Sequence, residues 1–161
     1  MKHHNAENSR LNELSGEFFR EFSRYEYCLK VTKLRNQEGK VSADWDKYAT
    51  QVQIDFEAPT DPEVAEAINY YMTHPPKLQI VRDNELVWDE ALPVQGNKAV
   101  LVLMLIRRMR NNLFHGGKFN DQWFEPQRSE ELLHYALIIL KACAQNHPRV
   151  LEAYNGAESV G

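Results

Sequence analysis

Residues 97–117 read NKAVLVLMLIRRMRNNLFHGG, and the change of character halfway along decides the fold. From Ala99 to Ile106 all eight residues are apolar. A helix with no polar face belongs at the centre of a helical bundle. From Arg107 onward the same helix turns polar, with Arg107, Arg108, Arg110, Asn111, Asn112 and His115, and Gly116-Gly117 ends it. The pattern predicts one helix over about Asn97 to Phe114.

Outward from that helix the rest of the chain is also mostly helical in period. Leu11, Leu14, Phe18, Phe22, Tyr25, Leu29 and Thr32 follow steps of three and four, one stripe of a long first helix with Ser9 as its N-cap and Asn36–Lys40, with Gly39, as its end. A weaker helix is expected over Ala43–Phe56. Thr60-Asp61-Pro62-Glu63 then supplies a cap, a first-turn proline and a carboxylate for a helix whose apolar face is Val64, Ala67, Ile68 and Tyr71, stopped by Pro75-Pro76. Leu78–Val81 and Glu85–Trp88 flank Asp83-Asn84 and predict a small β-hairpin. After a loop carrying Trp123 and Pro126, Ser129 caps a last long helix that faces the core with Leu132, Leu133, Ala136, Leu137, Leu140 and Ala144. Pro148 opens a short terminal turn. The expected architecture is all-α, an up-and-down helical bundle with a hairpin insertion around 78–88, as a single domain over 1–161 with frayed ends at about 1–8 and 155–161.

Composition agrees with a globular domain and removes several function classes. With 43% hydrophobic and 26% charged residues in 161, the chain can build one core and not two. Net charge is 19 − 23 = −4, which excludes a generic polycation that coats nucleic acid. The eight-residue apolar run is far short of the roughly twenty a membrane span needs, and the polar first ten residues hold no apolar signal segment. Cys28 and Cys143 have no metal spacing and read as reduced core thiols of a cytoplasmic protein. No His/Cys/Asp/Glu set has zinc spacing, and no glycine-rich phosphate loop is present. Neither a metal nor a cofactor is therefore expected.

The net charge hides an asymmetry. Between Ala91 and Asn120 there is no Asp or Glu, whereas Lys98, Arg107, Arg108, Arg110 and Lys118 are all cationic. Arginines at a helix C-terminus are often there for the helix dipole alone. Asn111 and Asn112 are poor helix-interior choices, however, and a buried helix that carries Arg, Asn and His must satisfy them or present them to a cleft or a second subunit. Arginine offers a planar fork of donors for phosphate oxygens, and histidine exchanges protons near neutrality. Arg110 and His115 thus form a minimal kit for cleaving RNA through its 2′-hydroxyl. On an ideal helix a separation of five residues places them about 140° apart. They converge only if the helix unwinds before His115, or if two chains meet in one cleft.

The segment Arg108-Met-Arg-Asn-Asn-Leu-Phe-His-Gly-Gly-Lys118 resembles the signature of the HEPN family (higher eukaryotes and prokaryotes nucleotide-binding): Arg, a polar residue, three residues, then His, here Arg110, Asn111 and His115. The first helix, with EFFREFSRYEY at 17–27, is similar to the opening helix of bacterial HEPN proteins. The resemblance implies a helical bundle that dimerises through the motif helices. It implies a metal-independent endoribonuclease of toxin or phage-defence type, leaving 2′,3′-cyclic phosphate and 5′-hydroxyl ends. Arg110 and His115 would carry the chemistry and Asn111 would orient the histidine or contact the phosphate. Arg107, Arg108, Asn112 and Lys118 would bind RNA phosphates. HEPN toxins paired with a nucleotidyltransferase antitoxin usually carry a tyrosine two residues past the histidine, where this chain has Gly117. An antitoxin or regulatory partner of another kind is left open. The alternative is a non-catalytic HEPN-like module that binds RNA, nucleotide or a protein partner.

Other side chains have simpler readings. His74 and His147 precede prolines at helix ends and are expected as caps or exposed residues, and His134 as exposed. Trp45 and Tyr70-Tyr71 are expected to pack, and Glu26 to pair with a motif arginine.

Overall fold

The structure, a computed structural model, describes residues 2–115, 118–119, 122–123 and 125–156; for residues 2–5, 115, 118–119 and 122–123 it describes the backbone only. The described residues are mainly helical, with two small two-stranded antiparallel sheets. In order the chain runs α1 (Lys2–Val31), α2 (Trp45–Gln51), α3 (Gln53–Glu57), α4 (Pro62–Thr73), β1 (Leu78–Arg82), β2 (Glu85–Asp89), α5 (Lys98–His115), the two-residue strands β3 (Lys118–Phe119) and β4 (Gln122–Trp123), α6 (Pro126–Gln145) and α7 (Pro148–Tyr154). The sheets pair β1 with β2 and β3 with β4. No helix among the described residues is long and apolar enough to cross a membrane.

The first half of α5 is core, as its composition requires: Ala99, Leu101, Val102, Leu103, Leu105, Ile106 and Met109 are buried. Asn97 starts it by accepting from the Val100 N–H at 3.1 Å through Oδ1. The helices α2 and α3 lie against it, while α6 packs between α1 and α4. The expected helix over Ala43–Phe56 is two helices, broken at Val52 (φ −107°, ψ 15°) and started by Asp44, which accepts from the Lys47 N–H at 2.9 Å. The α4 reading holds in detail. Asp61 accepts from the Glu63 N–H at 2.9 Å, Pro62 takes the first turn, and Val64, Ala67, Ile68 and Tyr71 are buried. From the core, the Tyr71 hydroxyl donates to the Leu132 carbonyl on α6 at 2.6 Å.

Three termini differ from expectation. α1 begins at Lys2, so Ser9 lies inside it rather than capping it, and the first of the expected frayed ends has helical backbone. It stops at Val31, ahead of Asn36–Lys40. Lys33 takes a left-handed φ of 65°, the Lys33 N–H reaches the Lys30 carbonyl at 3.3 Å, and the Leu34 N–H reaches the Leu29 carbonyl at 2.8 Å. That is a Schellman stop with lysine in the position glycine usually fills, sealed by the buried Leu34. α6 begins at Pro126, not Ser129, whose N–H already donates to the Glu125 carbonyl at 3.0 Å. Proline's fixed φ suits this first position. Glu125 gives no side-chain cap; its carboxylate is engaged by Lys77 Nζ at 2.9 Å. Residues 157–161 of the expected frayed C-terminus lie outside the described residues.

The hairpin forms as the spacing predicts, Arg82 pairing with Glu85 around Asp83 (φ 52°) and Asn84 (φ 61°). Two positive φ angles are what a type I′ turn demands, and Asp and Asn tolerate them. His74 is the C-cap of α4, His147 caps α7 by accepting from the Val150 N–H, and His134 is exposed. Trp45 is buried and stacked on Phe22 and Tyr25, with ring centroids 5.3 and 5.8 Å away. Cys28 and Cys143 are buried free thiols.

Candidate nucleic-acid site at the end of α5

Past Ile106, α5 carries two polar stripes. Arg107, Arg110 and Phe114 follow at steps of three and four; Arg108, Asn112 and His115 follow at four and three, one residue later. The two stripes meet different neighbours.

Arg108 and Asn112 face the base of the hairpin. The Arg108 Nη1 donates to the Pro76 carbonyl at 3.3 Å, and the Asn112 Nδ2 donates to the Lys77 carbonyl at 2.7 Å. From α6, Arg128 Nη2 donates to the Pro75 carbonyl at 2.5 Å. Three successive carbonyls after the α4 stop are thus held by side chains from two helices, which answers a proline-rich turn that has few N–H groups of its own. An ion network closes the same side: Lys77 lies 2.9 Å from Glu125 and 3.2 Å from Glu90, and Arg128 lies 3.4 Å from Glu90. Lys77 and Arg128 hold the Glu90 carboxyl below its ordinary range. Burial pulls the Arg108 guanidinium below its usual value, against the opposing pull of Asp89. The cavity left between hairpin, α5 and α6 is about 50 Å³, the size of a water or two and not of a nucleotide.

The other stripe faces α1 and α2. Arg107 is half-buried, 5.9 Å from the Trp45 ring and 3.8 Å from the Asp46 carboxylate. Burial lowers its guanidinium from the ordinary value while Asp46 and Glu26 act the other way, and its Nε is buried without a hydrogen-bond partner among the described residues. Glu26 itself accepts from the Trp45 indole at 3.1 Å, so the expected pairing of Glu26 with a motif arginine is an electrostatic influence on Arg107 rather than a contact. Arg110, one turn on, is half-buried. Its Nη1 donates to the Asn111 Oδ1 at 3.1 Å, and its guanidinium sits over the Phe114 ring, 4.4 Å from the centroid. Asn111 and Phe114 are exposed.

Of the expected site residues, the structure therefore brings Arg110 and Asn111 together. Arg107 stands beside them, partly neutralised by Asp46. Arg108 and Asn112 are engaged by the hairpin on the other stripe. His115 is the last residue of α5, and the helix does not unwind before it. Positions 110 and 115 accordingly stay about 140° apart around the axis. The side chains of His115 and Lys118 lie outside the described residues, as does Gly117. Sequence reasoning passed over Phe114, although its place four residues after Arg110 is the spacing at which helical side chains meet. It also passed over Arg128, for which no local signal exists, since its carbonyl partner is 53 residues away.

Among the described residues no three His, Cys, Asp or Glu side chains group as metal ligands. No family model, curated protein or solved structure matches this chain.

Proposed function

We propose that this chain is a HEPN-type endoribonuclease, an up-and-down helical bundle that works as a homodimer, with a composite site built from Arg110, Asn111 and His115 of both protomers. The observation that carries it is the helix end itself: a helix that is core through Ile106 runs on unbroken and offers Arg110, held by Asn111, at its surface. Because positions 110 and 115 diverge on one helix, an Arg–His pair acting on one phosphate is drawn from two helices. A two-fold axis at the helix ends supplies that arrangement and doubles a local positive charge that the net charge of −4 conceals.

In the reaction, a histidine takes the proton of a ribose 2′-hydroxyl, whose oxygen forms a bond to the adjacent phosphorus. The bond to the 5′-oxygen breaks, and that oxygen receives a proton from the second histidine. The products are a 2′,3′-cyclic phosphate and a 5′-hydroxyl, and no water is consumed. Arg110 holds the non-bridging oxygens and stabilises the charge that grows on them. Asn111 orients the guanidinium by accepting from it. Lys118 and Arg107 would guide flanking phosphates, whereas Arg108 and Asn112 would act mainly on the hairpin.

The test is subunit dilution. Wild-type protein is co-folded with an excess of the Arg110→Ala/His115→Ala double variant and assayed on RNA in EDTA. A shared site predicts that cleavage per wild-type subunit falls toward zero as dead subunits are added. Constant cleavage per wild-type subunit would place the whole site in one chain.

A further inference from the structure

Exposed apolar surface gathers on the hairpin and the segment after it. Five of the nine large apolar side chains exposed among the described residues lie between Leu78 and Val94. Val81 (72% exposed) and Leu86 (65%) stand opposite each other on one hairpin face. Such a concentration marks an interaction surface. β1 and β2 make a sheet of only two strands, so each keeps one edge with no neighbouring strand among the described residues.

The turn decides which backbone groups those edges offer. The residues flanking a two-residue turn form a hydrogen-bonded pair, and such pairs alternate along an antiparallel ladder. Arg82, Ile80 and Leu78 therefore bond across the hairpin to Glu85, Val87 and Asp89, and the N–H and C=O of Gln79 and Val81 point outward from β1. Both residues are exposed, and no backbone hydrogen bond from another described element meets them on that side. The preceding outward carbonyl, at Lys77, is taken by Asn112 Nδ2 at 2.7 Å.

We propose that a second copy of this chain pairs on this edge, β1 antiparallel to β1, about a two-fold axis at Ile80. The inference goes beyond the reading of α5 and does not use it. Register and charge carry it. With Ile80 on the axis, Gln79 of each copy faces Val81 of the other, and both pairs exchange their outward bonds. An axis at Gln79 would set Val81 against the Lys77 carbonyl that Asn112 already holds. An axis at Val81 would set Gln79 against Asp83, which is in the turn at φ 52°. In the remaining register Arg82 lies across from Leu78 of the other copy, and the next residue in that row is Asp89. Each arginine then has an acid on either side, Glu85 of its own hairpin and Asp89 of the other. The β2 edge lacks this fit. Its equivalent register, about Val87, would set Glu85 against Asp89 twice, and like charges placed opposite destabilise a sheet. Pairing on β1 makes four strands, and more than two are what an independent sheet needs.

The test is cysteine cross-linking. The pairing sets the two Ile80 Cα atoms about 4.5 Å apart, a span a disulfide bridges. The two Arg82 Cα atoms would be four residues out of register, about 14 Å apart, too far to bridge. Cys28 and Cys143 are buried, so an introduced cysteine reports alone. Under a mild oxidant Ile80→Cys is expected to give a disulfide-linked dimer on a non-reducing gel. Arg82→Cys, at the more exposed position, is expected not to. Adding Val81→Pro to Ile80→Cys removes an outward N–H and no bond within the hairpin, and should slow linkage at least about tenfold. Circular dichroism and melting confirm that each variant folds. Should Ile80→Cys fail to fold, Gln79→Cys and Val81→Cys, both at exposed positions, replace it: mixed, they are expected to link to each other and neither to itself. Arg82→Cys linking as fast as Ile80→Cys, linkage that Val81→Pro does not slow, or no linkage at all would overturn the pairing. None of these outcomes reads RNA cleavage, so the pairing can fail while the reading of α5 stands.

Discussion

The two stripes at the end of α5 begin from nearly the same residue types and end in different states. Arg108 and Asn112 meet backbone carbonyls of the turn after α4, in a region closed further by Lys77, Arg128 and two glutamates. Arg110 and Asn111 meet each other and an exposed phenylalanine. A donor engaged by a buried carbonyl contributes to folding and is costly to remove. A donor held by a neighbouring side chain at the surface contributes little to folding and stays available to a ligand. On a helix where composition alone makes the arginines equivalent, their partners separate Arg108, engaged by backbone, from Arg110, held by a neighbouring side chain at the surface.

The comparison breaks most easily at Arg110. Arg110→Ala is expected to reduce RNA cleavage by at least about a hundredfold, the scale of losing one transition-state donor. Its cost to stability should stay near 1 kcal/mol, the worth of a surface cation–π contact. Cleavage rates and melting curves on the same preparation check both halves. Arg108→Ala should reverse the pattern. We expect about 1–3 kcal/mol of lost stability from a charge-assisted hydrogen bond in a part-buried setting, with cleavage by the folded fraction unchanged. Denaturant unfolding beside a cleavage assay would decide it, and lost cleavage with intact stability would place Arg108 with the functional stripe. Asn112→Ala should cost less, about 1 kcal/mol, and its signature is local: faster amide exchange in β1 and β2 than in α1.

Acid gives the smallest effect and sharpens the comparison by region. Glu90 is held below its ordinary value by Lys77 and Arg128, so its contribution is fully present above about pH 4.5 and is lost as pH falls through the lower folded value. Hairpin amide protection should therefore fall in that acid range before protection in the α5 core does, as exchange at stepped pH would reveal.

Much of the fold was legible because it is written in periodicity and caps. The all-apolar run of α5, the Asp61-Pro62 start of α4 and the Asp83-Asn84 turn each carry a local physical signal, and each forms where that signal places it. The misses are local conformations that ordinary residues adopt under tertiary pressure. Lys33 ends α1 in a left-handed state normally read from glycine, and Glu125 precedes α6 at φ 47° with its carboxylate drawn to Lys77. At the candidate site, the basic and polar residues were legible as a cluster, and Arg108, Asn111 or Asn112, and His115 as a stripe on successive turns, but the partners that set one stripe apart from the other were not. Arg108 and Asn112 find their partners 32 and 35 residues away, in a turn that sequence spacing does not connect to them.

The central claim is that the helix end carrying Arg110 and His115 cuts RNA. Its most direct test is incubation of total cellular RNA with purified protein in EDTA, wild type beside His115→Ala, with the fragment ends identified. The account predicts cleavage by the wild type alone, leaving 2′,3′-cyclic phosphate and 5′-hydroxyl ends. Equal cleavage by both proteins, or cleavage by neither, would contradict it.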